Sequence, residues 1–218
     1  MKLITTLTIL GTLSVGAFAF PTLQLTGTGK GGNVKVSLNS GGDYNSFFAG
    51  EMKLKLNTGS SVTNFSGFCT DSDIHVSGSA WNVTITDTSN LNPNGARIAN
   101  LVNTYLPSII ASGTNDQARA LQLVIWELSE ETSGTFNLTT GTFRAKASDG
   151  GALNAGTLNA ATTYLANMGT SVAPFYMSGF NGNNQLSQNM VAPVPEPASM
   201  GALALGVLGL IRRRRNRR

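Results

Sequence analysis

From residue 22 the chain alternates apolar and polar positions between short clusters of Gly, Asn, Ser and Asp. Val34, Val36 and Leu38 are spaced by polar residues, as are Met52, Leu54 and Leu56, and such period-two runs mark strands with one buried face. The pattern predicts strands over 22–26, 33–38, 46–56, 61–68 and 81–86. Between the first two, GTGKGG (Gly27 to Gly32) lacks the spacing of a phosphate loop and reads as a turn. After Asn92-Pro93 the period lengthens: Ile98, Leu101, Val102, Tyr105 and Ile109 recur at helical spacing, with Asn92 or Asn94 as cap and Ser112-Gly113 as the stop. A second helix begins after Thr114 or Asn115 and runs through Trp126, ending before Ser133-Gly134. A third, weaker one covers 154–168, and 171–180 and 185–191 read as closing strands. The order predicts an α+β fold, a β-rich domain (sandwich or barrel-like) with a helical insertion carrying two to three helices.

One helical stretch breaks its own pattern. In ALQLVIWEL, Ala120 to Leu128, a single amide, Gln122, sits among Leu121, Leu123, Val124, Ile125 and Trp126. At 3.6 residues per turn it shares a face with Ala118, Ile125, Trp126 and Ser129, the face expected to pack inward. An unpaired buried amide is costly, so Gln122 either finds partners in a dry place or takes part in chemistry.

Both ends carry addresses. Lys2, the apolar core from Leu3 to Val15 and Ala17-Phe18-Ala19 have the form of an export signal at 1–19, cleaved after Ala19. At the other end Pro195-Glu196-Pro197 precedes an apolar stretch, 198–211, and a tail with six arginines. A helix of that length reaches about 21 Å, short of the ~30 Å hydrocarbon core, which suits a temporary stop in the inner membrane with the basic tail left in the cytoplasm. This tripartite tail resembles the PEP-CTERM sorting signal of Gram-negative bacteria, down to its VPEP. The resemblance implies recognition by an exosortase, removal of the short transmembrane helix with its Arg tail (193–218), and residence at the cell surface or in the extracellular matrix.

The signals also distort the charge. The chain has 15 Lys+Arg and 11 Asp+Glu; without Lys2, the tail arginines and Glu196 the body keeps 8 bases and 10 acids. A body this weakly charged lacks the basic face that nucleic-acid binding requires. Residues 20–192 suffice for one domain with a sizeable core, and their Gly, Ser, Thr and Asn richness suits a secreted β-rich surface protein.

The chain has one cysteine, Cys69, which cannot close an internal disulfide and, once exported, faces oxidants. The plain readings are a buried structural thiol or an intermolecular disulfide. One reaction accounts for both the odd thiol and the odd amide: Cys69 sulfur attacks the Gln122 side-chain carbonyl, expels ammonia and leaves an intramolecular thioester, shielded from water by apolar neighbours. Phe68-Cys69-Thr70-Asp71 looks like the aromatic-Cys-x-acid motif of bacterial surface thioester domains, and Leu121 to Trp126 looks like their apolar-Gln-apolar motif with its Trp. The spacing of 53 positions and the strand-then-helix context are similar too. The resemblance implies a Cys69–Gln122 cross-link and covalent adhesion to an amine- or hydroxyl-bearing surface or polysaccharide target, with Asp71, Trp126 and Phe68 as activating or shielding residues, no cofactor and no catalytic turnover. Closing such a loop would contribute about 4 kcal/mol by analogy with disulfides, so a purely stabilising bond is an alternative. A non-covalent structural protein of an extracellular polysaccharide or biofilm matrix is another.

Other chemistry is weaker. Asp71, Asp73 and His75 would share a face if DSDIH were a strand, and two acids with an imidazole can hold a cation; a solvated loop is the simpler reading, with no metal. His75 is the only histidine and no Gly-x-Ser-x-Gly elbow occurs, which argues against a Ser-His-Asp hydrolase. Glu130 and Glu131 read as solvated at a helix end, and Glu127 with Glu131 gives no glycosidase pair.

Overall fold

The computed structural model describes residues 20–74, 76, 78–132, 134–171, 175–180 and 186–193. The segment read as an export signal, 1–19, His75, and the sorting region with Pro195, Glu196, Pro197 and the apolar stretch expected to form a short helix lie outside the described residues. Among those described, no helix is long and apolar enough to cross a membrane.

The period-two runs form antiparallel strands. β1 (Thr22–Ser37) pairs with β2 (Asn45–Asn57) along nearly its whole length, and β2 pairs with β3 (Val62–Cys69). β3 passes its far edge to β7 (Leu186–Ala192), β7 pairs with β6 (Phe175–Phe180), and β6 with β4 (Trp81–Thr86). β4 returns to β1 at Leu23 and Trp81, so the sheet closes into a barrel-like ring. The C-terminal part of β1 instead takes β5 (Arg144–Ala147), a short strand within the helical insertion that the pattern did not predict.

The insertion also carries α1 (Gly95–Ser112), α2 (Asn115–Glu130) and α3 (Ala155–Ala166). Thr114 caps α2 in a reciprocal box with Gln117, the arrangement that satisfies two orphan N–H groups at a helix start. α2 lies against β1, β2 and β3 on one side and against α1 and α3 on others. Ala118 and all of Ala120 to Leu128 are therefore buried, and a helix covered all round is apolar all round. Gln122 and Glu127 are its buried polar exceptions.

Two local expectations are corrected. Asn94 stands at the start of α1 without capping it; its Nδ2 donates to the Leu128 and Glu131 carbonyls, and Asn92 Nδ2 to those of Leu128 and Ser129. Both amides thus satisfy the C-terminal carbonyls of α2, which lacks a basic residue in its last turn. GTGKGG is no turn. It continues β1 through two register shifts and folds around Glu51, whose carboxylate accepts from the Lys30 N–H (3.1 Å), Ser66 Oγ (2.6 Å) and Lys53 Nζ. Burial would raise the Glu51 pKa, but these bonds outweigh it and hold the carboxyl below its usual range. Lys30 Nζ reaches on to the Ile109 (2.6 Å) and Ile110 (3.0 Å) carbonyls at the end of α1, fastening helix to barrel.

Candidate functional site

Cys69 is the last residue of β3, and its two edges have different fates. Strand geometry turns the N–H and C=O groups of successive residues alternately to opposite sides. Phe68 and Thr70 face β7, with the Thr70 N–H donating to Asn189 O at 3.0 Å. Cys69 faces the other side, where Gly67 meets Met52 of β2. Two residues further, β2 no longer pairs with β3; Gly50 is opposite Gly31 of β1. The Gln122 side chain fills the vacated edge. The Cys69 N–H donates to Gln122 Oε1 at 3.0 Å and Gln122 Nε2 donates to the Cys69 carbonyl at 2.7 Å, so the carboxamide acts as one residue of a missing strand. Gln122 is 0% exposed and Cys69 2%, and this pairing satisfies the buried amide.

The arrangement has a chemical side. The carboxamide straddles the Cys69 Cα, and the sulfur is two bonds from that carbon. Attack on Gln122 Cδ would develop negative charge on Oε1, the atom already receiving the Cys69 N–H, as an oxyanion-hole donor does. The nitrogen that would depart is held by the Cys69 carbonyl. Burial pushes the Cys69 thiol well above its usual pKa, and the charge of Asp71 adds to the rise. A free thiolate is therefore disfavoured at rest.

Cys69 lines a cavity of about 210 Å³ with Asp71, Trp126, Phe47, Phe48 and Met52 among others. Trp126 is buried, stands edge-on to Phe47 at 6.2 Å, and donates through Nε1 to the Asp71 carbonyl at 3.0 Å. Asp71 lies in the loop after β3: its Oδ2 accepts from the Asn189 N–H (2.8 Å) and its Oδ1 from Asn189 Nδ2 (3.1 Å), while its carbonyl also takes Gln188 Nε2 at 2.9 Å. Burial raises its pKa, and despite the bonds from Asn189 it stands at about 6, with Asp73 and Glu130 adding to the rise. Asp73 is exposed. Phe68 is fully buried but does not line this cavity; strand alternation sends its side chain to the opposite face from Cys69.

Several acids were missed or misjudged by pattern reading. Glu131 Oε1 accepts from the Thr142 N–H and, at 3.1 Å, from that of Phe143. Glu131 is half-buried rather than solvated, whereas Glu130 is exposed as expected and also accepts from Ser72 Oγ at 2.7 Å. Glu127 is 1% exposed; one oxygen accepts the Asn137 N–H at 2.6 Å and the other has no partner. Burial lifts its pKa to about 7. Glu127 and Glu131 pin the loop after α2, and Glu130 ties the end of that helix to the loop after β3, roles that need the fold to be visible. A larger cleft of about 740 Å³, between 134–139 and α3, presents no ionisable side chain among its described lining residues, and no group of metal-ligating side chains occurs among the described residues.

No curated protein and no solved structure matches the chain. Residues 193–215 match the PEP-CTERM protein-sorting motif. The sorting motif makes the chain an exosortase substrate, exported across the inner membrane and sorted to the cell surface or the extracellular space.

Proposed function

We propose that the body is a covalent surface adhesin in which Cys69 and Gln122 form an intramolecular thioester that acylates an amine or hydroxyl on a target. The observation that carries this reading is the two-bond pairing of the Gln122 carboxamide with the backbone of Cys69. It brings the chain's one cysteine beside a dry, oriented amide and aims a donor at the oxygen that would bear charge. Cys69 serves as nucleophile when the bond forms and as leaving group when a target attacks; Gln122 is the acyl donor. Each molecule reacts once, so this is not an enzyme in the turnover sense.

The same pairing favours a second reading. Gln122 satisfies the Cys69 edge without any reaction, and a thiol with so raised a pKa is reluctant to attack. On this reading the protein is a non-covalent component of the extracellular matrix.

Intact mass separates the two. The exported chain, purified in mild detergent without reductant, is compared with Cys69→Ala. If the thioester forms, the wild type is lighter than its calculated mass by one ammonia and the variant is not, and methylamine adds its own mass to the wild type alone. A full mass with a titratable thiol leaves the matrix reading.

A further inference from the structure

We propose that Asp71 is the proton carrier for acyl transfer: in the cavity it shares with Cys69, its carboxylate takes a proton from the attacking nitrogen and returns it to the departing sulfur. The inference rests on the thioester reading above and assigns it a base.

The step balances without a further reactant. An amine nitrogen bonds to Cδ of the Gln122 acyl group, and the Cδ–Sγ bond breaks with its electron pair left on sulfur. The nitrogen then holds one proton too many for an amide, and the sulfur one too few for a thiol. Transfer by way of Asp71 leaves an amide, a neutral thiol and the carboxylate as it began.

Three observations point to Asp71. The cavity of about 210 Å³ is lined mostly by apolar side chains, Leu25, Phe47, Phe48, Met52 and Trp126 among them, and among its described lining residues Asp71 is the one carboxylate. That lining cannot stabilise a bare thiolate, and burial has already pushed the Cys69 thiol up, so the sulfur needs a proton as it leaves. The residue is also fixed from two elements, by Trp126 of α2 and by Gln188 and Asn189 of β7. Each carboxylate oxygen receives one of the Asn189 bonds, which leaves a lone pair on each for the traffic. The charges facing it are Asp73 on its own loop and Glu130 at the end of α2, with the Cys69 thiol on β3; β7 contributes only the uncharged Gln188 and Asn189. With a pKa of about 6, the group is ionised at neutral pH yet basic enough to accept a proton, the compromise that general base catalysis favours.

The test uses the full chain in mild detergent, first weighed for the lost ammonia and then given methylamine over a range of roughly two pH units about the Asp71 pKa of about 6. Asp71→Asn is expected to retain the mass deficit while uptake slows by about a hundredfold. The wild-type to variant rate ratio should rise with pH and level off above the Asp71 pKa; ionisation of methylamine cancels in that ratio. Asp71→Glu should recover part of the rate. A cross-linked Asp71→Asn that reacts like the wild type at every pH overturns the proposal. A wild type of full mass overturns the thioester reading itself, before any amine is added. Should Asp71→Asn not carry the cross-link, Asn189→Ala decides: removing the Nδ2 donor should move the rate midpoint to higher pH, and an unmoved midpoint overturns the proposal.

Discussion

Gln122 makes its bonds to the backbone of Cys69 and none to the thiol, and this difference separates two substitutions that both abolish any cross-link. Cys69→Ala keeps both hydrogen bonds and loses one buried sulfur, at a cost of about 1 kcal/mol beyond loss of the bond. Gln122→Leu leaves a buried N–H and a buried C=O unpaired, each costing about 1–3 kcal/mol. Gln122→Leu should therefore be less stable than Cys69→Ala by about 2–4 kcal/mol, allowing for partial relaxation. Urea midpoints of the two variants measure the difference; equal midpoints would mean that water or another group replaces the amide. Sequence made the oddness of Gln122 legible, because an amide in an all-apolar helix face needs a partner. It did not reveal that the partner is a strand edge, since that edge exists only where β2 parts from β3 to stay with β1, a choice made by tertiary pairing.

At the scale of elements, the periodic segments were readable and the exceptions were where local rules lost to packing. Helices over 95–112, 115–130 and 155–166 follow from apolar spacing and their stops. β5, at Arg144–Ala147, carries only two small apolar residues in four positions and shows no period to read. GTGKGG has the composition of a turn but is held extended by pairing with β2. There Gly31 (φ +146°) lies opposite Gly50 (φ +158°), and a Cβ on Gly31 would meet the Gly50 Cα at 2.7 Å and the Ala49 carbonyl. Gly31→Ala adds a side chain where neither the dihedral nor the space admits one, so it should destabilise by about 3 kcal/mol. Lys30→Met, which loses only the half-exposed cap on the α1 carbonyls, should cost about 1 kcal/mol. Were GTGKGG a free turn, both substitutions would leave the urea midpoint unchanged.

In the whole molecule, one strand joins the address to the site. β7 ends at Ala192, and the sorting match begins at residue 193. The same strand sets Met190 opposite Cys69, places Gln188 and Asn189 on Asp71, and links β3 to β6 in the ring. β7 is the last strand of the barrel in chain order, so Cys69 acquires its buried surroundings only when nearly the whole domain is available to fold. A chain ending at residue 185 has β3 and β6 without their shared neighbour. Its Cys69 should react with an aromatic disulfide reagent in the absence of denaturant, and its mass should be full. A chain ending at residue 193 should hide the thiol or have consumed it. Should the shorter chain keep Cys69 inaccessible, the site would be assembled by β3 and α2 alone, and β7 would serve only to carry the tail.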